Sequence, residues 1–200
     1  MTSSTTNGQT EIIVTGFGGQ GIILTGRILG MAASLGDKKE STLVQAYGPE
    51  SRGGACNAQV IISNTPIHYP YVNRPHILVA MSQAGYDKFA ASLAPDSVLL
   101  VDQDLVHPEE AACDHFAIPA TRMAENLGNK MMANIIMLGF CTAITGAVTN
   151  AAAQAMVRQS VPRGTEDRNI EAFTKGYDYG LSTLKWREKR AAGQTGALAS

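Results

Sequence analysis

The chain has 200 residues, of which 44% are hydrophobic and 16% are charged, and its formal net charge is −1 at pH 7. This length and apolar content support one α/β domain with a proper core and disfavour two independent domains. The near-neutral charge disfavours nucleic acid as a partner, and a charged fraction below the roughly 25% of an average soluble protein predicts a surface partly covered by other chains.

Residues 1–10 form a polar leader without a hydrophobic segment, so no signal peptide is predicted. The three cysteines, Cys56, Cys113 and Cys141, are odd in number and far apart. They are expected to be reduced thiols in the cytoplasm. Because the sequence has no CxxC pair, the chain is not expected to supply an iron–sulfur cluster by itself. The four histidines also lack the spacing of metal ligands.

The first folded segment is predicted to be an apolar strand over residues 11–15, followed by a helix over residues 19–35. Between them lies GFGGQG, residues 16–21, a glycine-rich loop at a strand–turn–helix junction. The first N–H groups of such a helix lack partners within the helix, and the helix dipole adds roughly +0.5 charge, so the junction favours a phosphate. A tight turn that binds nothing is the alternative interpretation of these glycines.

The segment after the second predicted strand, residues 41–46, disfavours a dinucleotide ligand. A nicotinamide- or flavin-binding Rossmann unit carries an acid at the end of this strand to hold the ribose. Here the strand is followed by YGPESRGG, in which Glu50 lies behind a Gly-Pro turn. Arg52 lies in the same loop, where its guanidinium can bind a phosphate with two hydrogen bonds. A surface ion pair with Glu50 is the alternative role for Arg52.

The following segments alternate strands and helices, the order of an α/β fold. Strands are predicted over residues 58–63, 76–81, 98–102 and 116–118, and helices over residues 83–93 and 119–126.

Residues 131–157 contain no charge, but polar residues and Gly139 interrupt them, so two ordinary helices are predicted rather than a membrane span. Asn150 is the candidate N-cap of the second helix. The first helix is apolar nearly all round, which predicts that another subunit covers its outer side.

A last helix is predicted after Thr165, its candidate N-cap. Its apolar stripe is expected to pack on the domain's own core, and Gly176 and Gly180 would let a neighbouring backbone come close. Residues 187–200 turn basic and then small and polar, and they are expected to be extended on a partner or mobile.

The predicted organisation is a leader, a domain over residues 11–186 and this tail. The predicted fold is a single-domain, Rossmann-like three-layer sandwich with a mostly parallel sheet flanked by helices.

Three motifs taken together resemble the gamma subunit of the 2-oxoacid:ferredoxin oxidoreductases. They are the glycine loop, the YGPESRGG segment at residues 47–54, and GNK at residues 128–130 leading to Asn134. The resemblance extends over residues 11–184. It departs at residues 161–164, VPRG, where many members carry a lysine-rich segment.

The resemblance implies a multi-subunit enzyme that oxidatively decarboxylates a 2-oxoacid on thiamine diphosphate and transfers the acyl group to coenzyme A. Thiamine diphosphate, Mg²⁺ and the iron–sulfur clusters are expected on alpha, beta and ferredoxin-like partner subunits, and a flavin or NAD subunit is a further candidate partner. This chain would cap the active site and help bind the phosphates of coenzyme A, without catalytic or metal-binding residues of its own. The residues expected at coenzyme A are Gly16, Gly18, Gly19, Gln20, Gly21, Arg52, Lys130 and Asn134.

Three questions stay open at the level of sequence. For Lys130 and Asn134, a purely structural role as a capping and packing pair is as consistent with the sequence as a role in binding coenzyme A. The whole chain is also consistent with a purely structural scaffold of the same complex, or with a free-standing NAD(P)-binding Rossmann reductase. Neither the 2-oxoacid nor the electron acceptor, ferredoxin or NAD, can be read from the residues of this chain.

Overall fold

The computed structural model describes residues 8–47, 55–94, 96–109 and 114–197. Its strands are β1 (Gln9–Phe17), β2 (Glu40–Tyr47), β3 (Ala55–Ser63), β4 (Ile77–Ala80), β5 (Val98–Asp102) and β6 (Asp114–Ile118). Its α-helices are α1 (Ile22–Met31), α2 (Gln83–Ala90), α3 (Ala120–Asn126), α4 (Ala133–Thr145), α5 (Asn150–Ser160) and α6 (Glu166–Ala197). A π-helical turn, Ala32–Gly36, extends α1, and a 3-10 turn, Lys130–Met132, precedes α4.

The strands form one sheet in the order β2-β3-β1-β4-β5-β6. Strands β1, β4, β5 and β6 are parallel, while β3 pairs antiparallel with both β1 and β2. The predicted α/β fold with a mostly parallel sheet is confirmed. Strand β2 differs from the second strand of a dinucleotide-binding unit, because β3 separates it from β1. The ribose-binding acid of such a unit therefore has no counterpart position in this sheet.

Helices cover both faces of the sheet, but unequally. The larger core lies under α1, α3, α4, α5 and α6 and contains Ile12 and Val14 of β1, whereas Ile13 faces the smaller core under α2. This alternation is the period of two expected for a strand that is buried on both faces.

Helix α4 is buried along most of its length, and α6 of the same chain covers it. A Cβ added at Gly139 would overlap the Phe173 carbonyl oxygen, and one added at Gly176 would overlap the Ile136 carbonyl oxygen. The two helices therefore meet backbone to backbone, which confirms the close approach expected at Gly176. The expectation that another subunit covers α4 is wrong, because α6 fills that place. Phe173 is fully buried there, so the packing expected for the last helix is confirmed.

Helix α5 is capped by Thr149, whose Oγ1 accepts a hydrogen bond from the Ala152 N–H at 3.3 Å. The prediction of Asn150 as the cap is wrong by one residue. The Asp37 carboxylate explains the choice, because it accepts from the Thr149 N–H at 2.8 Å and fixes that residue ahead of the helix. Asn150 instead accepts from the Gln154 side chain at 3.0 Å.

Helix α6 continues without a break to Ala197, so the expectation of an extended segment is wrong over residues 187–197. The Arg187 guanidinium lies 3.7 Å from the centroid of the Phe116 ring and hydrogen-bonds to the His115 carbonyl. This cation–π contact fastens the helix to edge strand β6. Among the helices in the described ranges, none combines the length and the hydropathy that crossing a bilayer requires.

Candidate functional site

A cleft of about 250 Å³ opens where the parallel strands end. Helix α1 follows β1 on one face of the sheet, and α2 follows β4 on the other face. The boundary between β1 and β4 is therefore a switch point, the place where open α/β sheets bind ligands. The cleft is lined by Gly19, Gln20, Met81, Leu105, Thr121, Lys130, Met131 and Ala133.

The glycine loop joins β1 to α1 at one wall of this cleft. Gly19 has a φ of 95° and Gly21 a φ of 75°, a backbone region that favours glycine. Helix α1 begins at Ile22 with Gly21 as its N-cap, so the predicted start at Gly19 is three residues early. No side chain caps this helix, and its first turn carries no acidic residue. Its first internal hydrogen bond runs from the Thr25 N–H to the Gly21 oxygen at 3.0 Å, so the N–H groups ahead of Thr25 lie outside the helical ladder.

Gln20 holds the loop in place with its side chain. Its Oε1 accepts from the Phe17 N–H at 2.7 Å, and its Nε2 donates to the Met81 carbonyl at 3.0 Å. The Gln20 backbone N–H donates to the Phe17 carbonyl at 3.2 Å, so this amide is already engaged within the turn. Gly16 lies inside β1, and a Cβ there would lie 2.6 Å from Ile22 Cδ1. Gly16 and Gln20 therefore shape the loop.

Asn134 supports the loop from behind the cleft. Its side chain is buried, and Nδ2 donates to the Gly21 carbonyl at 3.2 Å. Its Oδ1 is buried without a hydrogen-bond partner. Asn134 is not among the residues that line the cleft. Its contacts are those of a side chain that packs within the domain and supports the loop.

Lys130 is the one charged side chain among the described residues that line the cleft. Its Nζ lies 2.7 Å from Glu125 Oε1, and the two side chains are 75% and 42% exposed. The Glu125 carboxylate raises the pKa of Lys130 by hydrogen bonding and by its charge, so the ammonium is protonated at neutral pH. Asn129 caps the short turn that carries Lys130, since its Oδ1 accepts from the Met131 N–H at 3.0 Å.

Arg52 and residues 48–54 around it lie outside the described residues. Of the described residues on either side, Ala55 pairs with Phe17 and Tyr47 pairs with Cys56. Tyr47 and Ala55 therefore lie at the end of the strands where the glycine loop begins.

Asp102 holds Thr121, one of the residues that line the cleft, a role that the sequence patterns did not predict. It is fully buried at the end of β5. Its Oδ2 accepts from the Thr121 N–H at 2.9 Å and from the Thr121 hydroxyl at 2.6 Å, and its Oδ1 accepts from the Asp104 N–H at 3.1 Å. Burial raises the pKa of Asp102 despite these hydrogen bonds. The sequence does carry a signal for Asp102, because an acidic residue at the end of an apolar strand is unusual enough to indicate a specific role.

The two cysteines of the described residues are not activated as nucleophiles. Cys141 is buried, and burial raises its pKa to about 12. Burial also raises the pKa of Cys56, and a thiol of raised pKa is a poor nucleophile. Among the described residues, no group of three or more His, Cys, Asp or Glu is placed to hold a metal ion.

The chain is similar to known proteins over most of its length. A family model described as pyruvate ferredoxin/flavodoxin oxidoreductase matches residues 11–179. The 2-oxoglutarate synthase subunit KorC of Methanocaldococcus jannaschii is 47% identical over 172 residues, which cover 84% of this chain and 92% of that relative.

Two solved structures share the fold. The gamma subunit of a keto/oxoacid ferredoxin oxidoreductase from Geobacter sulfurreducens superposes with a TM-score of 0.77 at 38% identity, covering 86% of this chain and 99% of that one. The 2-oxoglutarate:ferredoxin oxidoreductase from Magnetococcus marinus, with 2-oxoglutarate, coenzyme A and succinyl-CoA bound, gives a TM-score of 0.80 at 19% identity. The match covers 88% of this chain and 32% of that longer chain.

Proposed function

Because the chain belongs to the pyruvate ferredoxin/flavodoxin oxidoreductase family, as a gamma subunit of a 2-oxoacid:ferredoxin oxidoreductase complex, we propose that its cleft binds the phosphates of coenzyme A. The 2-oxoacid is decarboxylated and oxidised on other subunits, and this chain holds the thiol carrier beside them. The resemblance identified in the sequence is thereby confirmed at the level of the family, and the binding role is the proposal.

The uncapped N-terminus of α1 carries this proposal. Its first-turn N–H groups have neither a side-chain cap nor a partner in the helix, and the helix dipole adds positive potential at the same end. A diphosphate at this end would supply the missing acceptors. Gly18, Gly19 and Gly21 allow the ligand to approach the backbone closely, while Gln20 and Asn134 hold the loop in the required shape.

The rest of the cleft suits the remainder of coenzyme A. Three apolar side chains, Met81, Leu105 and Met131, form much of its lining and would pack along the pantetheine arm. Lys130 and Arg52 would add charge-assisted contacts to phosphates. Arg52 precedes Ala55 by three residues in the sequence, and Ala55 pairs with Phe17, where the glycine loop begins.

The other cofactors belong to partner chains in this proposal. Complexes of this family use thiamine diphosphate, iron–sulfur clusters and coenzyme A. The sequence contains three separated cysteines and no CxxC pair, and the described residues offer no metal-binding cluster. The described residues therefore do not fit a cluster, and we assign these groups to alpha, beta and ferredoxin-like subunits. The bound carrier, fixed at its phosphates, would present its thiol to the acyl intermediate on those subunits.

We propose 2-oxoglutarate as the substrate of the complex, because the relative with 47% identity is a 2-oxoglutarate synthase subunit. The purified complex should show its highest kcat/KM for 2-oxoglutarate in a panel that includes pyruvate, 2-oxoisovalerate, indolepyruvate and phenylglyoxylate. Ferredoxin is the proposed acceptor, and parallel assays with ferredoxin and NAD test it. A preference for another 2-oxoacid, or turnover with NAD alone, would contradict the corresponding assignment.

Gly19→Ala tests the binding role in the assembled complex. Among the described residues, no atom lies within 4 Å of a Cβ added at Gly19, so the methyl group would project toward the proposed ligand, and the φ of 95° is strained for alanine. The KM for coenzyme A should rise about tenfold, the loss of roughly one charge-assisted hydrogen bond, with an unchanged KM for the 2-oxoacid. Gly164→Ala is the matched control, because Gly164 has a φ of 84° and equally open surroundings away from the cleft. Equal effects of the two variants on coenzyme A would remove the proposed role.

A further inference from the structure

We propose that Glu125 is an internal competitor for the anion that the cleft binds. In the free chain it pairs with Lys130, and a phosphate of coenzyme A displaces it when the ligand enters. This inference rests on the proposed function. It adds to the site a residue, Glu125, that lowers the affinity of the cleft for coenzyme A.

The first observation is the position of the pair. Lys130 lines the cleft together with Gly19 and Gln20, and among the described lining residues it carries the only charge. Its ammonium contacts Glu125 at 2.7 Å. A carboxylate oxygen at this distance takes one of the three N–H donors of the ammonium and offsets its positive charge, which weakens the attraction of Lys130 for a phosphate. The ligand and Glu125 therefore compete for one cation.

The second observation is that the pair can exchange without moving the backbone. The C-terminal end of α3 is closed by hydrogen bonds from the N–H groups of Gly128 and Asn129 to carbonyls of α3, at 2.8 and 3.1 Å. Asn129 then caps the turn that carries Lys130. The side chains of Lys130 and Glu125, by contrast, are 75% and 42% exposed to solvent, and an ion pair in contact with solvent is weak. Rotation of two side chains is enough to pass Lys130 from Glu125 to the ligand.

The neighbouring cation Arg122 does not fit this role. It contacts Asp104 through both Nε and a terminal nitrogen, which holds its guanidinium in a fixed orientation, and it is not among the residues that line the cleft. Lys130, held by one contact, is the cation that can change partner.

A competing carboxylate has a use in turnover, because the acyl-coenzyme A product must leave in every cycle. When Glu125 returns to Lys130, it replaces the departing phosphate and repels what remains of the ligand's charge. Loss of Glu125 should therefore tighten binding and slow dissociation together.

The experiment is a double-mutant cycle in the assembled complex, with coenzyme A binding measured by calorimetry and dissociation by stopped flow. Glu125→Gln should lower the Kd for coenzyme A about threefold, and Lys130→Gln should raise it about fivefold, the size expected for exposed charges. In the Lys130→Gln background, Glu125→Gln should have at most half of its single-variant effect. The effects should shrink between 0.05 and 0.5 M salt, because the Debye length falls from about 14 to about 4 Å.

Glu171→Gln is the matched control. Glu171 pairs with Lys175 at 3.5 Å on α6, with similar exposure and no part in the cleft, and its neutralisation should leave the Kd unchanged. An unchanged or raised Kd in Glu125→Gln overturns the inference, as does an equal effect in the presence and absence of Lys130. Gly19→Ala separates the two claims: if it weakens coenzyme A binding while Glu125→Gln does nothing, only the competitor is wrong. If neither changes the Kd, the proposed function fails as well.

Discussion

The Asn134 side chain donates to the Gly21 carbonyl at 3.2 Å, although 113 positions of the chain separate the two residues. The contact ties the start of α4 to the start of α1. Gly21 is required there for two reasons, because its φ is 75° and because a Cβ would overlap Asn134 Nδ2. The shape of the glycine loop is therefore fixed by an element that is remote in sequence.

Asn134→Ala should lower the free energy of unfolding by about 1–2 kcal/mol, since a buried side chain is removed and the Gly21 carbonyl loses one of its donors, keeping those of Thr25. The KM for coenzyme A should rise as well, because the loop loses its support. Chemical denaturation of the purified chain and kinetics of the complex measure the two effects. Asn150→Ala is the control, since the Asn150 side chain accepts from Gln154 of the same helix and its loss should change stability by less than about 0.5 kcal/mol. Equal stability of the two variants, with an unchanged KM, would contradict the role of Asn134.

Gly176→Ala should destabilise the chain by about 3 kcal/mol or more, because the added methyl group must push α6 away from the Ile136 carbonyl. Gly30→Ala in α1 should have the opposite effect on the free energy of unfolding. The nearest atom to its added Cβ is Ser41 Oγ at 3.7 Å, so removal of a helical glycine should stabilise by about 0.5–1 kcal/mol. Urea midpoints of the two variants measure the contrast. A Gly176→Ala midpoint at or above that of the natural chain would rule out the backbone contact of α4 and α6.

The buried carboxyl group of Asp102 should make the free energy of unfolding depend on pH. Burial raises its pKa above the ordinary value of 3.8, so the folded chain holds this proton more tightly than the unfolded chain does. The stabilisation from Asp102 is therefore fully present below pH 3.8 and is lost as the pH rises through the raised pKa. Urea midpoints between pH 3 and 7 should fall over this window less steeply in Asp102→Asn than in the natural chain. Parallel profiles of the two proteins would show that Asp102 does not titrate with a raised pKa.

Cys141 should resist alkylation in the folded chain, because burial raises its pKa to about 12 and removes the thiolate at pH 8. Iodoacetamide labelling followed by peptide mass spectrometry tests this. Little label is expected on the Cys141 peptide in buffer, and full label is expected in guanidinium. Rapid labelling of the folded chain would mean that α4 and α6 open readily around this residue.

Local patterns predicted the parts of the site that depend on near neighbours. The strand, glycine loop and helix at residues 11–35 follow from apolar runs and from the backbone freedom of glycine, and the structure differs by only a few residues at the helix start. Gly176 was likewise identified by its spacing along a helix. Lys130 lines the cleft in the structure, and its spacing in the sequence does not reveal Glu125 as its partner.

The features that sequence patterns missed are those decided by distant contacts. The position of β3 between β1 and β2 is set by pairing across the sheet, which no local period encodes. Asp37 accepts a hydrogen bond from the N-cap residue of α5, Thr149, and Arg187 holds α6 against Phe116 of β6. The side-chain amides of Gln20 and Asn134 donate to the carbonyls of Met81 and Gly21, contacts that no local pattern predicts. Polar side chains near a glycine loop serve ligand and scaffold equally well, and only the geometry separates the two roles.

A structure of the assembled complex with coenzyme A bound tests the central claim most directly. The account predicts phosphate oxygens about 3 Å from the N–H groups of the first turn of α1, with Lys130 turned from Glu125 toward the ligand. Coenzyme A phosphates bound away from this cleft, or a partner side chain filling the space between Gly19 and Lys130, would contradict it.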